Sequence, residues 1–184
     1  MLFRFRRPTV DDAAMLLEWR TDPVITRFMF TDLEHPDVER QRGWIAAMET
    51  REDFRHFVIE HEGRPVGYLS YSEIDRLHRR CSTGSYMVTE RDRRMLAGYL
   101  HSFIMDYAFH TLGMNKVVNY FMEGNDQVIR IQSVLKCRFV GVLEQHVFKH
   151  GRFQDVHVFE TLRRDYESHP HPFDRETTLA AFDP

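Results

Sequence analysis

The spacing of apolar residues switches repeatedly between strand and helix periods along this chain, and no other feature restricts the possible fold as tightly. Phe57 to Glu62 and Pro65 to Ile74 are two short apolar-rich runs joined by Glu62-Gly63-Arg64, which reads as a β-hairpin. Leu96, Leu100, Phe103, Ile104, Tyr107, Ala108 and Leu112 then recur on one side of a long helix, with Gly113 as its C-terminal stop. Phe139 to Phe148 and Phe153 to Leu162 return to strands across the turn Lys149-His150-Gly151-Arg152.

The other elements fit around this frame. Leu2 to Arg6 reads as a strand with Phe3 and Phe5 on one face. Thr9 and Asp12 resemble a capping box opening a helix to about Arg20, which Asp22-Pro23 ends. A second helix begins near Pro36 and carries Trp44, Ile45 and Met48. Ser82 to Val88 and Lys116 to Phe121 are further strands, and Val128, Ile131 and Leu135 mark a helix starting at Asn125 or Asp126. The order predicts an α/β (α+β) fold, a mixed central sheet of about seven strands flanked by about four helices. A chain of 184 residues suits one domain, here 1–164, with 165–184, holding Pro170, Pro172 and Pro184, as a peripheral tail.

Composition narrows the function classes. Lys and Arg are scattered among Asp and Glu with a net charge of −3, so no strong field draws nucleic acid or an anionic membrane. No apolar run approaches the roughly 20 residues a bilayer span needs, and the start MLFRFRRP lacks the apolar middle of a secretory signal, which makes the cytoplasm the expected compartment. Cys81 and Cys137 lie far apart without a CxxC spacing and read as structural thiols. His146, His150 and His157 follow no ligand rule, so no metal is expected.

From Leu2 to about Arg164 the order of elements resembles the GCN5-related N-acetyltransferase (GNAT) superfamily. Leu17-Glu18-Trp19-Arg20, Asp22-Pro23-Val24, Met29, Trp44 and the hairpin Phe57-Val58-Ile59 to Gly67-Tyr68-Leu69 are most similar to N-acetyltransferases of nucleotide-linked amino sugars, such as those of pseudaminic acid biosynthesis. Gln41 departs from the histidine those enzymes usually carry. The resemblance implies direct attack of a small-molecule amine on acetyl-CoA, the co-substrate. It implies Glu73 as the proton acceptor, an oxyanion donor in the backbone near Met87 and Val88, and an acceptor pocket shaped by Arg20, Met29, Tyr71 and Tyr86. Taken by themselves, without the resemblance, Glu73 reads as an exposed charge ending a strand and the two tyrosines as sheet packing.

The family's pyrophosphate loop falls on Arg93-Arg94-Met95-Leu96-Ala97-Gly98, leading into Tyr99. Leu96 and Arg94 stand where glycines are frequent, so Leu96 should crowd the diphosphate or force another loop path, while Arg91, Arg93 and Arg94 offer charge in compensation. Asn125 and Arg130 are candidates for the pantetheine arm and 3′-phosphate. Val134 occupies the place of the usual Tyr acid, leaving neighbouring Ser133 to hydrogen-bond the sulfur. The alternatives to acetyl-CoA chemistry are an acyl carrier protein or longer acyl-CoA as donor, which the arginine cluster would suit, and a non-catalytic ligand- or partner-binding protein.

Overall fold

The structure, a computed structural model, describes residues 2–183. Seven strands form one sheet in the order β1-β2-β3-β4-β5-β7-β6: β1 Arg4–Arg6, β2 Arg55–His61, β3 Arg64–Asp75, β4 Arg80–Met87, β5 Lys116–Met122, β6 Arg138–Lys149 and β7 Arg152–Leu162. All pairings are antiparallel except β4 with β5. The β2–β3 turn is tight because Glu62 and Gly63 both adopt positive φ, 52° and 71°, a conformation glycine takes without steric cost.

Helices cover both faces. On one, α1 Ala13–Thr21, α2 Pro23–Thr26 and α3 Val38–Glu49 bury Leu16, Trp19, Ile25 and Ile45 against Val58, Tyr68 and Tyr86. Their starts are set locally: Asp22 accepts from the Val24 amide at 2.7 Å and Asp37 from the Arg40 amide at 2.6 Å. Arg6 fixes the entry to α1 through a two-pronged ion pair with Asp12, each contact 2.7 Å.

On the other face α4 Glu90–Asp106 packs Leu96, Leu100, Phe103 and Ile104 against Phe57, Leu69 and Tyr71, and its last turn continues as a π-helical turn, Tyr107–Thr111. The fifth helix, α5 Asp126–Val134, follows β5.

The segment after residue 164 is not peripheral. Its helices α6 Arg163–Glu167 and α7 Arg175–Leu179 return across α4, and Thr178 donates to Asp106 Oδ2 at 2.6 Å. Phe182 stacks on Phe5 and Tyr107 at 4.2 Å, while Tyr166 and Ala181 are buried. The proline content hid this, because the burying residues are isolated apolar side chains without a period. Among the described residues no helix is long and apolar enough to cross a membrane.

Candidate active site

The site is a split in the sheet. β4 and β5 pair only at Arg80–Lys116 and Cys81–Val117, after which the strands part. Asn119 ends the pairing chemically: its Oδ1 accepts from the Thr83 amide at 2.9 Å and the Thr83 hydroxyl at 3.0 Å. On β4's other edge the Val88 amide donates to Val66 O at 2.8 Å. Antiparallel hydrogen bonding alternates along a strand, so the amides of Thr83, Ser85 and Met87 point away from β3. With Thr83 capped by Asn119, the N–H groups of Ser85 and Met87 face the split.

A cavity of about 990 Å³ runs through this split from one face of the sheet to the other. On the α4 face its wall includes Arg93, Ala97, Leu100, His101, Ile104 and Met105, while α5 adds Val128, Ile131 and Gln132, and Leu135 follows just after its end. Arg93 braces the end of β4 by donating to the carbonyls of Met87 at 3.0 Å and Val88 at 3.3 Å. Burial, with His171 adding repulsion, pushes His101 down to about 4, so it is neutral at pH 7, and its buried Nε2 has no hydrogen-bond partner in the protein. Gln132 is buried and turned to the cavity, its Nε2 donating weakly to Val128 O at 3.3 Å.

On the α1–α3 face the wall is aromatic. Trp44, Phe54, Tyr68, Tyr86 and Phe28 surround the opening with Arg20, Arg27 and Met29. Tyr68 and Tyr86 stack at 5.6 Å, directly paired across β3 and β4. Burial raises both phenols well above their ordinary value, and the nearby Arg20 charge offsets this only in part. The Tyr68 hydroxyl meets Nδ1 of the fully buried His56 at 2.9 Å.

Several expected residues therefore meet: Arg20, Met29, Tyr86, Met87, Arg93, Ala97 and Asn125 all line the cavity. Asn125 stands at the start of α5 without making a side-chain cap, which frees its amide for the cavity. Other expectations are corrected. Tyr71 is wholly buried on the α4 side with its hydroxyl on Ile104 O at 2.9 Å, because the register that puts Tyr68 opposite Tyr86 turns residue 71 to the other face.

Glu73 sits exposed with φ 53° where β3 and β4 lose register, outside the cavity wall. The Val88 amide is spent on β3. Ser133 and Arg130 are exposed on α5 and do not reach the wall, whereas Gln132, which the sequence reading missed, does.

The arginine-rich segment also differs from a phosphate loop. Thr89 caps α4, accepting from the Asp92 amide at 3.0 Å, and the Arg93 amide already donates to Thr89 O at 3.0 Å. Arg93 to Tyr99 thus lie inside a helix whose amides are engaged, not in an open loop. Leu96 points into the core, so it does not crowd the cavity. Arg94 is paired with Glu90, and Met95, Gly98 and Tyr99 are exposed away from the main cavity. No group of three His, Cys, Asp or Glu gathers as a metal site among the described residues.

Comparison with known proteins places this geometry. The family model described as "Acetyltransferase (GNAT) domain" matches residues 3–138. An uncharacterised N-acetyltransferase of Bacillus licheniformis, p20, is 22% identical over 165 residues, covering 88% of this chain and 93% of that protein. The spermidine N(1)-acetyltransferase of Escherichia coli strain K12 is 28% identical over 102 residues, 55% of each chain. Among solved structures, the spermidine N-acetyltransferase from Vibrio cholerae in complex with CoA and spermine superposes with a TM-score of 0.84 at 19% identity, covering 90% of this chain and 98% of that one. These findings support the superfamily and not its amino-sugar branch. With the match running from the first strand to the start of the sixth, the chain belongs to the GNAT acetyltransferase family.

Proposed function

We propose that this protein transfers the acetyl group of acetyl-CoA to the amine of a small molecule that enters from the α1–α3 face. The observation that carries this reading is the cavity passing through the β4–β5 split, with the Ser85 and Met87 amides turned toward it. An extended arm carrying amide groups fits between two parted strands, because their unpaired backbone edges supply the complementary hydrogen bonds. The buried Gln132 amide and the unpartnered Nε2 of His101 add polar atoms on the α4 side. When bound, acetyl-CoA supplies the acyl group as a thioester.

The protein's own contribution is placement and polarity. The Met87 N–H lies on the edge where negative charge on a carbonyl oxygen would be stabilised, and a fixed backbone dipole does this without reorganising. Tyr68 and Tyr86 remain protonated donors at neutral pH. Among the described residues lining the cavity there is no Asp or Glu, so the amine passes its proton to water or arrives neutral. For the diphosphate, Arg93 on the wall is the nearest substitute for an open loop. The Arg91–Arg94 cluster gives little support to an acyl carrier donor, since Glu90 already pairs with Arg94 and lies beside Arg91.

Titration calorimetry with acetyl-CoA and CoA tests the donor. Micromolar binding that weakens in Arg93→Ala is the expected result, and absence of binding at millimolar ligand would remove the proposal. The acceptors to set beside one another are nucleotide-linked amino sugars, which the resemblance of Arg20, Met29 and Trp44 suggested, and polyamines, named for the spermidine acetyltransferase relatives.

A further inference from the structure

The acceptor end of the cavity carries two arginines and no carboxylate on its described wall, and this charge balance disfavours a polycation. Arg20 and Arg27 line it with Trp44, Phe54, Tyr68 and Tyr86, and none of its described lining residues is Asp or Glu. Arg20 has no carboxylate partner among the described residues. Its guanidinium donates only to neutral atoms, Met29 Sδ and, at 3.4 Å, the carbonyl and hydroxyl of Thr31. Arg27 lies exposed over the Phe28 ring at 4.9 Å and is likewise without an acid. The carboxylate on the same loop, Asp32, is engaged by the buried Lys149 at 2.9 Å and by His150 at 2.9 Å.

A half-buried guanidinium with five donors and only weak neutral acceptors is complementary to a planar or tetrahedral oxyanion. A second ammonium on the acceptor would instead stand against two arginines with no carboxylate on the described cavity wall, and with Asp32 already engaged by Lys149 and His150, an arrangement that like-charge repulsion and desolvation both oppose.

Resting on the acetyl-transfer reading above, we infer that the acceptor is an amine whose body also carries an oxyanion, carboxylate or phosphate, held by Arg20 with Arg27 at the rim. The aromatic wall takes the apolar or ring-shaped part, and the amine faces the split beside Met87. The side chains that set this preference lie outside the sheet edge that handles the donor, so donor binding and acceptor choice separate experimentally.

Two matched pairs test the inference, glucosamine 6-phosphate against glucosamine and tryptophan against tryptamine, with spermidine as the polycation. Each is titrated calorimetrically into the full-length protein with and without CoA, and turnover is read as release of the CoA thiol. In at least one pair the anionic member should bind and react roughly tenfold to a hundredfold better, the span expected for a charge-assisted contact. The pair that shows it tells phosphate from carboxylate.

Arg20→Met should abolish most of that preference while leaving the CoA affinity within about twofold, and Arg20→Lys should restore part of it, which separates lost charge from lost folding. The inference is overturned if neutral members bind as well as anionic ones, if spermidine is preferred, or if the preference survives Arg20→Met. Failure of CoA to bind while the anionic preference persists would instead strike the acetyl-transfer reading alone.

Discussion

Glu73 shows how a residue's surroundings override its type. A carboxylate at the end of a strand beside a cleft suits a proton acceptor in sequence, but the loss of register after Ser72 swings it into a positive-φ position on the surface. Glu73→Gln should therefore leave kcat/KM for the best amine acceptor within about twofold, measured by thiol release; a general base would cost roughly a hundredfold or more. Gly67 is the opposite case, an unremarkable strand glycine in sequence whose added Cβ would sit 2.3 Å from the Tyr86 carbonyl. Gly67→Ala should cost about 1–3 kcal/mol in chemical denaturation, because β3 and β4 must move apart. It should also loosen the Tyr68–Tyr86 stack on the acceptor wall. The exposure of Glu73 is one of the two readings its place in the sequence allows, whereas the contact behind Gly67 is not legible there; Tyr71 and Tyr86 likewise look alike in sequence, and only the register separates the buried one from the one that lines the cavity.

At the scale of elements, all seven strands and the long helix follow from period alone, because a half-buried strand and a core-facing helix each need one apolar face. What period does not reveal is where one strand parts from its neighbour. The β4–β5 split depends on Asn119 replacing a backbone partner and on α5 lying beside the opening, which are contacts between distant segments. The start of α4 is another feature that period does not show: Thr89 caps the helix with Asp92 hydrogen-bonded back to it, so Arg93 to Tyr99 lie within the helix and not in a loop. The tail is a third such case. Phe182→Ala removes a ring stacked on Phe5 and Tyr107 and set edge-on to Phe57, and it should lower stability by about 3 kcal/mol in urea denaturation. A peripheral tail would leave the midpoint unchanged.

Taken as a whole molecule, the protein places buried neutral histidines close to its cavity, and this sets how it responds to acid. His56 is fully buried with Nε2 unpartnered, and burial followed by the charge of Arg7 pushes it down to about 4. An ordinary histidine titrates near 6.5, so between these values the unfolded chain binds a proton that the native protein refuses. Stability must then fall as pH drops from about 6.5 toward 4, and His56 alone contributes a loss of about 2 kcal/mol by pH 5. His101, also pushed to about 4, acts in the same direction. Carboxylates held low by ion pairs, such as Asp12 and Glu160, lose their contribution only at still lower pH. Urea denaturation at pH 7.5 and 5.0 checks this with His56→Gln, which does not titrate and retains a polar partner for Tyr68. The wild-type protein should lose about 2 kcal/mol more than the variant between the two pH values, whereas equal losses would mean that His56 is protonated in the folded state and that the wall behind Tyr68 carries charge.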